Sequence, residues 1–572
     1  MAPQPSIDAT GDGNLYSWED IVARKTERGQ NAIPNDWRLS SEILSKLSFP
    51  LESHANRIVD LDIPRKSGIL SARELEITEN YSVLELLERL ASGAFSSLEV
   101  TTAFCKRAAI AQQLFSCLTE IFFVEAIERA KALDTIRADA KQPLGPLHGL
   151  PISLKDTFNV KGHETSIGYV SFLGKKAEKN SHLVEILLEL GAVLYVKTNL
   201  PQTVATGDSH NNIFGRTLNP HNTMLNAGGS TGGEGALVAF RGSPLGIGTD
   251  LAGSIRIPAA CCGTYGFKPT ASRLPHGGQA SGGLPGLRAM LSASGPLAND
   301  LKALELLTRV VIDAVPARKD VSALDIPWRR LSNSQPDTKL RIGVFPEEPL
   351  YPLHPPVRRA LQEATRILQE AGHKLVQIDT NEARINAASE VAWELLGLDP
   401  GRTVIRHITN SGEPFVPSVS TREPPATFGD FQFLHDQAGL EPFHRYAAVN
   451  LKRDELQESW MKTIWTEKNL DVVIGPVARS TAVPHDTFGW PVYTVFVNVL
   501  DYPACVIPFS RASKELDPIA VRRKEGEGGP EYLPDLLDAA PCSIQIFTSR
   551  FRDEECLERS RIIDQCLRSH SG

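Results

Sequence analysis

Apolar and polar positions in the first 140 residues follow a helical period that prolines interrupt. Two Ser–x–x–Glu capping boxes, which begin at Ser82 and Ser96, mark the starts of two helices. The pattern predicts helices over residues 83–91, 97–116 and 123–140. Because prolines divide the segment before residue 80, we predict that residues 1–80 form a helical arm packed on a main domain of residues 81–572.

From about residue 150 onward the pattern alternates between helices and buried strands. A short apolar strand, Leu150–Leu154, ends at Lys155, and the order helix, glycine, strand occurs at residues 182–196 and again at 357–378. Further strands are predicted over 244–248, 340–345, 470–474, 504–508 and 543–546, and a last helix over 553–567. This alternation predicts an α/β fold with a mostly parallel sheet and helices on its faces.

Composition and charge narrow the class of protein. The chain has 572 residues, of which 41% are hydrophobic and 22% charged, and this excludes wholesale disorder. The net charge of −8 disfavours nucleic acid as a partner, and no apolar run is long enough for a membrane span or a secretion signal. The eight cysteines form no CxxC pair and are typical of reduced thiols in a cytoplasmic protein, so we expect no metal and no cofactor. The charged, glycine-rich residues 515–531 predict a surface loop.

Glycine is concentrated between Gly228 and Gly266, where 11 of the 43 glycines lie, and this density favours a site built from main-chain amides. A glycine-rich surface loop is the plain alternative. A phosphate loop is disfavoured because no lysine or arginine follows these glycines before Arg241. A dinucleotide fingerprint lacks a clear βαβ unit with an acidic residue about 20 positions later.

A serine nucleophile is the remaining interpretation of this segment. Ser230 lies in a GxSxG pattern, which an α/β-hydrolase would combine with an acid and a histidine, and Ser254 lies in DLAGSIR. A serine hydroxyl needs a base, and a lysine serves as one if burial keeps it neutral. Lys155 follows a buried strand, where a sheet edge holds its chemistry, although spacing alone favours an ordinary salt-bridged lysine.

Three segments of the chain read GPLHGLPISLKDTFNVKGHET at 145–165, GGSTGGEGALVAF at 228–240 and PLGIGTDLAGSIRIPAACCGTYGFKPT at 244–270. These segments resemble the amidase signature family. The similarity extends to residues 292–300, 501–508 and 543–557, and the N-terminal segment resembles the fungal acetamidase-type branch. The resemblance implies the amidase signature fold, a large, mixed, mostly parallel sheet with helices on both faces, whose signature core covers about residues 145–300.

The resemblance also implies a Ser–cis-Ser–Lys triad. Ser254 would attack the amide carbonyl and carry the acyl group, and Ser230, on a cis peptide after Gly229, would pass the proton to Lys155. Main-chain N–H groups of the loop at Ser254 would form the oxyanion hole, and Val204 would line the substrate pocket. The implied substrate-binding residues are Val204, Ser230, Leu251, Ala252, Gly253 and Ser254.

Residues beside the triad are predicted to support it. Asp250 and Arg256 flank Ser254 and are expected to pair and hold its turn, and Asp156 is expected to be a hydrogen-bonding scaffold. Thr231 and Ala252 depart from the family pattern, which has serine and glycine at these positions. If position 252 required a positive φ, the alanine Cβ there would cost about 1–2 kcal/mol.

The sequence therefore predicts a cytoplasmic amidase that hydrolyses a small-molecule carboxylic amide to the acid and ammonia or an amine. A glutaminase-type subunit of a tRNA-dependent amidotransferase and a non-catalytic amide-binding homologue are the alternatives. The sequence does not name the amide or decide between a catabolic and a biosynthetic role. It leaves the oligomeric state open, with a homodimer among the choices.

Overall fold

A computed structural model describes residues 16–331, 338–420, 439–523 and 529–569. The predicted surface loop at 515–531 therefore lies partly outside the described residues. The α-helices are α1 (Trp18–Asn31), α2 (Ser41–Leu44), α3 (Ile63–Lys66), α4 (Ala72–Glu79), α5 (Val83–Ser92), α6 (Ser97–Phe115), α7 (Phe123–Ala140), α8 (His182–Glu189), α9 (Gly232–Ala239), α10 (Arg256–Cys262), α11 (Leu301–Asp313), α12 (Pro355–Glu370), α13 (Thr380–Ala383), α14 (Ile385–Leu396), α15 (Thr403–Ser411), α16 (Pro417–Ser420), α17 (Pro442–Trp460), α18 (Val492–Val499), α19 (Pro534–Leu537) and α20 (Asp553–Ser569). A π-helical segment, Met461–Glu467, continues α17.

One large sheet forms the centre of the molecule. The strands are β1 (Leu118–Ile121), β2 (Pro151–Lys155), β3 (Val193–Thr198), β4 (His210–Asn211), β5 (Gly215–Arg216), β6 (Leu218–Asn219), β7 (Asn222–Asn226), β8 (Leu245–Asp250), β9 (Tyr265–Lys268), β10 (Ala293–Ala298), β11 (Arg341–Val344), β12 (Lys374–Gln377), β13 (Val472–Pro476), β14 (Ala504–Arg511) and β15 (Pro541–Phe547). Within the described ranges, eleven of them form one sheet in the order β1-β3-β2-β8-β10-β9-β14-β15-β13-β11-β12, and β4–β5 and β6–β7 form two small hairpins.

The α/β fold and most predicted elements are confirmed. The three early helices are α5, α6 and α7, and the two helix–glycine–strand units are α8 with β3 and α12 with β12. Capping boxes at Ser82 and Ser96 are present, since each serine hydroxyl accepts the N–H of the glutamate three residues later. The remaining predicted strands are β2, β8, β11, β13, β14 and β15, and α20 is the predicted last helix.

The sheet is mixed, as expected. The expectation that most of its strand pairs are parallel is wrong, because antiparallel pairs are in the majority. Four neighbouring pairs are parallel and six are antiparallel. Parallel pairing occurs in the two flanks, where a helix connects successive strands, such as α8 between β2 and β3. The antiparallel centre depends on β9 and β10, whose sequences YGFK and ASGPLA lack a clear apolar run and were not predicted as strands.

The N-terminal segment packs directly on the rest of the chain. Ile33, Leu39 and Ile43 are buried in the same apolar cluster as the central strands. Lys25 on α1 is buried and donates to Glu164 at 2.9 Å and to Glu120. Burial lowers the pKa of Lys25, but the two carboxylates outweigh it and leave the pKa raised. The division into an arm of residues 1–80 and a domain of residues 81–572 stays a prediction.

Among the residues with described positions, no helix is both long enough and apolar enough to cross a membrane.

Candidate active site

Three segments that carry predicted site residues meet at one edge of the sheet. Lys155 is the last residue of β2, and the segment Leu251–Ser254 follows β8. Because β2 and β8 are parallel neighbours, with Leu154 opposite Ile247, their carboxyl ends meet at the same edge. Ser230 lies in the turn that leads into α9. The local sequence explains this placement, since buried strands end at Lys155 and Asp250 and glycines surround both serines.

Lys155 is fully buried and contacts three hydroxyl groups. Its Nζ donates to Ser230 Oγ at 2.7 Å, to Thr231 Oγ1 at 3.0 Å and to Thr249 Oγ1 at 3.0 Å. Burial lowers the pKa of Lys155 to about 7, although the charges of Asp250 and Glu234 oppose that shift. A substantial fraction of this amine is therefore neutral at physiological pH.

A neutral Lys155 accepts a proton from Ser230 or Thr249, because Thr231 donates its own proton elsewhere. Thr231 Oγ1 donates its own proton to the Thr249 carbonyl at 3.3 Å, so it acts as an acceptor toward Lys155. A neutral lysine has two N–H donors and one lone pair. If Thr231 and Thr249 receive the two donors, the lone pair faces the Ser230 hydroxyl at 2.7 Å.

Lys155 is not an ordinary salt-bridged lysine. Within the described part of the chain it forms no ion pair, whereas its neighbour Asp156 pairs with the buried Lys197 at 2.6 Å. Asp156 also accepts the Ser166 hydroxyl at 2.6 Å and the Ser166 N–H at 3.1 Å. These contacts agree with the scaffold role expected for Asp156.

Ser254 is the more accessible of the two serines. Its side chain is half-buried, and its hydroxyl has no hydrogen-bond partner in the residues that the structure describes. The Thr231 N–H donates to the Ser254 carbonyl at 3.2 Å, which ties the two serine segments together. The predicted cis peptide between Gly229 and Ser230 is confirmed.

The main-chain amides beside Ser254 are not all equivalent. The Gly253 N–H donates to Asp250 Oδ1 at 2.8 Å, so that amide is already occupied. The N–H groups of Leu251, Ala252 and Ser254 have no acceptor within the described ranges. Three of the four predicted oxyanion-hole donors therefore remain available, and the Gly253 amide instead fixes the turn.

The alanine at position 252 does not strain this loop. The residue with a positive φ is Gly253, at 119°, and Ala252 is not among the residues of that conformation. A Cβ at position 253 would lie 2.2 Å from Thr494 Oγ1, a hydroxyl that donates to the Ala252 carbonyl at 2.8 Å. The close approach and the φ value both require glycine at 253, not at 252.

Asp250 and Arg256 form the expected pair. The Arg256 Nε lies 3.0 Å from Asp250 Oδ2, and both side chains are fully buried. Arg256 also donates to Gln545 Oε1 at 3.1 Å and to Asn498 Oδ1 at 2.5 Å. Burial raises the pKa of the Asp250 carboxyl, but the positive charge of Arg256 outweighs it and holds that pKa well below its usual range. This carboxylate stays ionised and fixes the loop that carries Ser254.

Val204 lies in a strained turn next to an apolar cluster. It has φ 58° and follows Thr203 at φ 76°, a conformation that is rare for β-branched residues. Its side chain packs with Ile167, Tyr169 and Ile408. That Val204 lines the substrate pocket stays a prediction.

Two residues at the site were missed by sequence reasoning, Thr249 and Glu234. Thr249 precedes Asp250 in a buried strand, and a single hydroxyl there carries no spacing signal. Glu234 is the third residue of α9, where a glutamate normally reaches back to cap the helix.

Among the described residues, no group of three or more histidine, cysteine, aspartate or glutamate side chains is arranged to hold a metal ion.

Comparison with known sequences gives near-complete matches. The sequence model of the amidase family matches residues 99–557. An amidase of Gibberella moniliformis is 36% identical over 554 residues, which cover 97% of this chain and 99% of that protein. An acetamidase of Aspergillus oryzae is 36% identical over 567 residues, which cover 96% of this chain and 99% of that protein.

Solved structures agree with the sequence matches. A fatty acid amide hydrolase superposes with a TM-score of 0.84 at 29% identity, and the match covers 96% of this chain and 95% of that chain. A bacterial aryl acylamidase of the amidase signature family shares the fold at 22% identity, with a TM-score of 0.63 over 85% of this chain and 96% of that chain.

Proposed function

Because this chain belongs to the amidase signature family and is an amide hydrolase of that family, we propose that it cleaves a carboxylic amide through an acyl-enzyme on Ser254. Ser230 and Lys155 carry the proton. The observation that supports this assignment best is the fully buried Lys155 amine, 2.7 Å from the Ser230 hydroxyl and with its pKa lowered to about 7 by burial.

In the first half-reaction, Ser254 Oγ attacks the amide carbonyl carbon while its proton passes to Ser230 and the Ser230 proton passes to the Lys155 lone pair. The half-buried position of Ser254 allows a substrate to reach its hydroxyl. The negative charge on the former carbonyl oxygen is stabilised by the free N–H groups of Leu251, Ala252 and Ser254.

Collapse of the tetrahedral intermediate breaks the C–N bond and leaves the acyl group on Ser254. The leaving nitrogen takes back the proton from the Lys155 ammonium through Ser230, so ammonia or a neutral amine departs. Water then attacks the acyl-enzyme carbonyl, with Ser230 and Lys155 removing its proton, and the acid is released as Ser254 recovers its hydrogen. Lys155 begins and ends the cycle as a neutral amine.

The assignment is tested with a fluorophosphonate probe, which phosphonylates an activated serine. The wild type and a Ser281→Ala control, in which an exposed serine is replaced, should be labelled. Ser254→Ala should lose the label. Labelling that persists in Ser254→Ala would refute the nucleophile assignment.

The substrate class is tested by incubating the protein with a panel of amides and measuring the acid product. The panel includes acetamide, a long-chain fatty amide, an anilide and glutamine. We expect release of acid from at least one simple carboxylic amide, with no activity in Ser254→Ala. Tight binding without turnover of any member, or glutaminase activity only with a co-purified partner, would contradict a stand-alone amidase.

A further inference from the structure

A buried carboxyl group that the proposed mechanism does not use acts electrostatically on Lys155. Glu234 is fully buried on the first turn of α9, one helical turn after Ser230. Its Oε2 lies 2.5 Å from Ser153 Oγ, and its Oε1 accepts from Thr198 Oγ1 at 3.0 Å. A Cβ at Gly246 would lie 2.1 Å from Oε2, so glycine at that position makes room for the carboxyl group.

The strand geometry places this carboxyl group and the lysine on the same face of the sheet. Ser153 and Lys155 are two residues apart on β2, and side chains at such positions point to the same side. Ser153 contacts Glu234, and Lys155 contacts Ser230 and Thr231 at the start of the same helix. The carboxyl group and the amine therefore share one buried, water-excluding layer between α9 and the sheet.

A line of hydroxyl groups leads from Glu234 to a cavity under the N-terminal segment. Ser153 Oγ is 2.8 Å from Ser243 Oγ, and Ser243 lines a cavity of about 190 Å³, which we call the arm-side cavity. The exposed residues Asn80 and Arg241 also line it, so it reaches the surface. Its volume is large enough for several water molecules.

The number of hydroxyl protons on Ser153 and Ser243 agrees with a protonated, neutral Glu234 at the inner end of this line. Ser153 has one hydroxyl proton but lies within hydrogen-bond distance of both Glu234 and Ser243. Ser243 Oγ donates to the Leu245 carbonyl at 2.9 Å, so Ser153 donates to Ser243. When Glu234 is protonated, its O–H donates to Ser153, so that each hydroxyl proton on this line has an acceptor; when Glu234 is a carboxylate, Ser153 donates to it instead.

The surroundings of Glu234 support the same state. Burial raises the pKa of Glu234 to about 8, against the opposing effects of Ser153, Thr198 and Lys155. In the described part of the chain, the other ionisable side chains that interact with it are Cys117 and Tyr195, whose pKa values burial raises above their usual range. Lys155 is the cation that interacts with Glu234 there, and the charge of Asp250 also acts on Lys155.

We propose that Glu234 is the switchable counter-charge of Lys155: an acid while Lys155 is a neutral amine, and a carboxylate while Lys155 is an ammonium, with its proton exchanging through Ser153 and Ser243 with the arm-side cavity. Glu234 is a positioning residue, because it acts on the reaction only through Lys155. The catalytic consequence rests on the proposed function, whereas the protonated state of Glu234 and its exchange route do not.

The proton balance is closed at each step. When Lys155 takes the Ser230 proton, Glu234 gives its proton to Ser153 and Ser153 gives its own to Ser243. The Ser243 hydroxyl turns from the Leu245 carbonyl and gives its own proton to water in the cavity. The ammonium and the carboxylate then neutralise each other inside the protein, which avoids an unpaired buried charge. When Lys155 returns its proton to the leaving nitrogen, water reprotonates Glu234 by the reverse route.

Infrared spectroscopy of the free enzyme near pH 7.5 tests the protonated state. The wild type should show the C=O band of a protonated carboxylic acid that is absent in Glu234→Gln. Ser153→Ala should move this band because it removes one hydrogen bond to the same group, and this keeps the test decisive if Glu234→Gln fails to fold. A spectrum without such a band, or one that both variants leave unchanged, would overturn the proposal.

Hydrogen–deuterium exchange tests the route. On transfer of the wild type into D2O, the C=O band of protonated Glu234 should shift within the dead time of mixing. In Ser243→Ala, which leaves Glu234 in place, the same shift should be at least about tenfold slower. Thr198→Val is the matched control, because it removes the other hydroxyl on Glu234, which lies off the route. It should move the band without slowing the exchange. Equal exchange rates in Ser243→Ala and the wild type would contradict the route.

Labelling with the fluorophosphonate probe separates this inference from the proposed function. In that reaction a Ser254 Oγ–P bond forms and the P–F bond breaks, fluoride leaves, and the Ser254 proton passes through Ser230 and Lys155 and is then released to solvent. Because Lys155 is an ammonium while it carries that proton, Glu234→Gln should be labelled about tenfold more slowly than the wild type. Absence of labelling in the wild type would refute the nucleophile, whereas labelling of Glu234→Gln at the wild-type rate would refute the counter-charge.

Discussion

Arg256 encloses the carboxylate of Asp250 from two directions, with Nε 3.0 Å from Oδ2 and Nη2 3.1 Å from Oδ1. The same carboxylate accepts the N–H of Gly253 at 2.8 Å and of Ile255 at 3.1 Å. The turn that carries Ser254 is therefore held by an ion pair that lies entirely out of contact with water. Stability and catalysis depend here on the same two side chains.

Replacement of Arg256 should be costly because it leaves a buried carboxylate without its partner. We expect Arg256→Met to lower the free energy of unfolding by about 3–5 kcal/mol, measured by urea denaturation. Arg256→Lys should recover only part of this, since a lysine ammonium lacks the planar fork that reaches both Asp250 oxygens. Arg366→Ala breaks an ion pair with Glu370 in which both side chains are more than half exposed, and it should cost at most about 1 kcal/mol. If Arg256→Met and Arg366→Ala lowered the free energy of unfolding equally, the buried pair of Asp250 and Arg256 would contribute no more to stability than an exposed pair.

The rate of amide hydrolysis should depend on pH through Lys155. Only the neutral amine accepts a proton, and burial lowers the pKa of this lysine to about 7. At pH values below that pKa, kcat/KM should therefore rise about tenfold per pH unit, and it should level off at higher pH. A Lys155→Ala variant should lose least activity at high pH, where hydroxide replaces the base. A wild-type profile that is flat between about pH 6 and 9 would contradict a titrating lysine.

The three hydroxyls around Lys155 should differ in importance. Ser230, whose hydroxyl lies 2.7 Å from the Lys155 Nζ, is the proposed proton carrier, so Ser230→Ala should lower kcat by about 100- to 10,000-fold. Thr231→Val removes an acceptor at 3.0 Å but leaves the proton route intact, and we expect a loss of about tenfold. Discontinuous assays of the acid product at a saturating concentration of amide give kcat for both variants. If the two variants lost the same amount, Ser230 would be only one of the amine's structural partners.

The triad of Lys155, Ser230 and Ser254 was predicted from the resemblance to the family, since spacing alone favoured a salt-bridged lysine at position 155. The local sequence supplies only part of that signal. The apolar run before Lys155 marks the end of a buried strand, and glycines surround the two serines. The pairing of Asp250 with Arg256 follows from their positions around one turn. These features depend on residues that are close in sequence, and the family motif includes all of them.

Other parts of the site could not be predicted because they depend on contacts between distant segments. Thr249 reaches Lys155 across 94 positions of the chain, and Ser153 reaches Glu234 across 81. A single threonine in an apolar strand is not part of any periodic pattern or motif in the sequence that would indicate its contact with Lys155. The Gly253 amide was predicted as an oxyanion-hole donor, and only the three-dimensional position of the Asp250 carboxylate shows that it is occupied.

Gly253 should tolerate no side chain, for two reasons that can be separated by experiment. A Cβ there would lie 2.2 Å from Thr494 Oγ1, and the residue has φ 119°. We expect Gly253→Ala to lower the free energy of unfolding by about 1–3 kcal/mol and to reduce kcat, because the neighbouring amides move. Urea denaturation and initial-rate assays give the two quantities.

Gly174→Ala provides the matched control, because Gly174 also has a positive φ, at 84°, but no atom lies within 4 Å of its added Cβ. It should show the cost of the backbone conformation alone, with kcat unchanged. The double variant Gly253→Ala/Thr494→Ala removes the contact and should recover part of the stability but not the full rate, since Thr494 also holds the Ala252 carbonyl. If Gly253→Ala kept wild-type kcat while losing stability, the geometry of this loop would not limit the reaction, and the assignment of its amides to the oxyanion would be wrong.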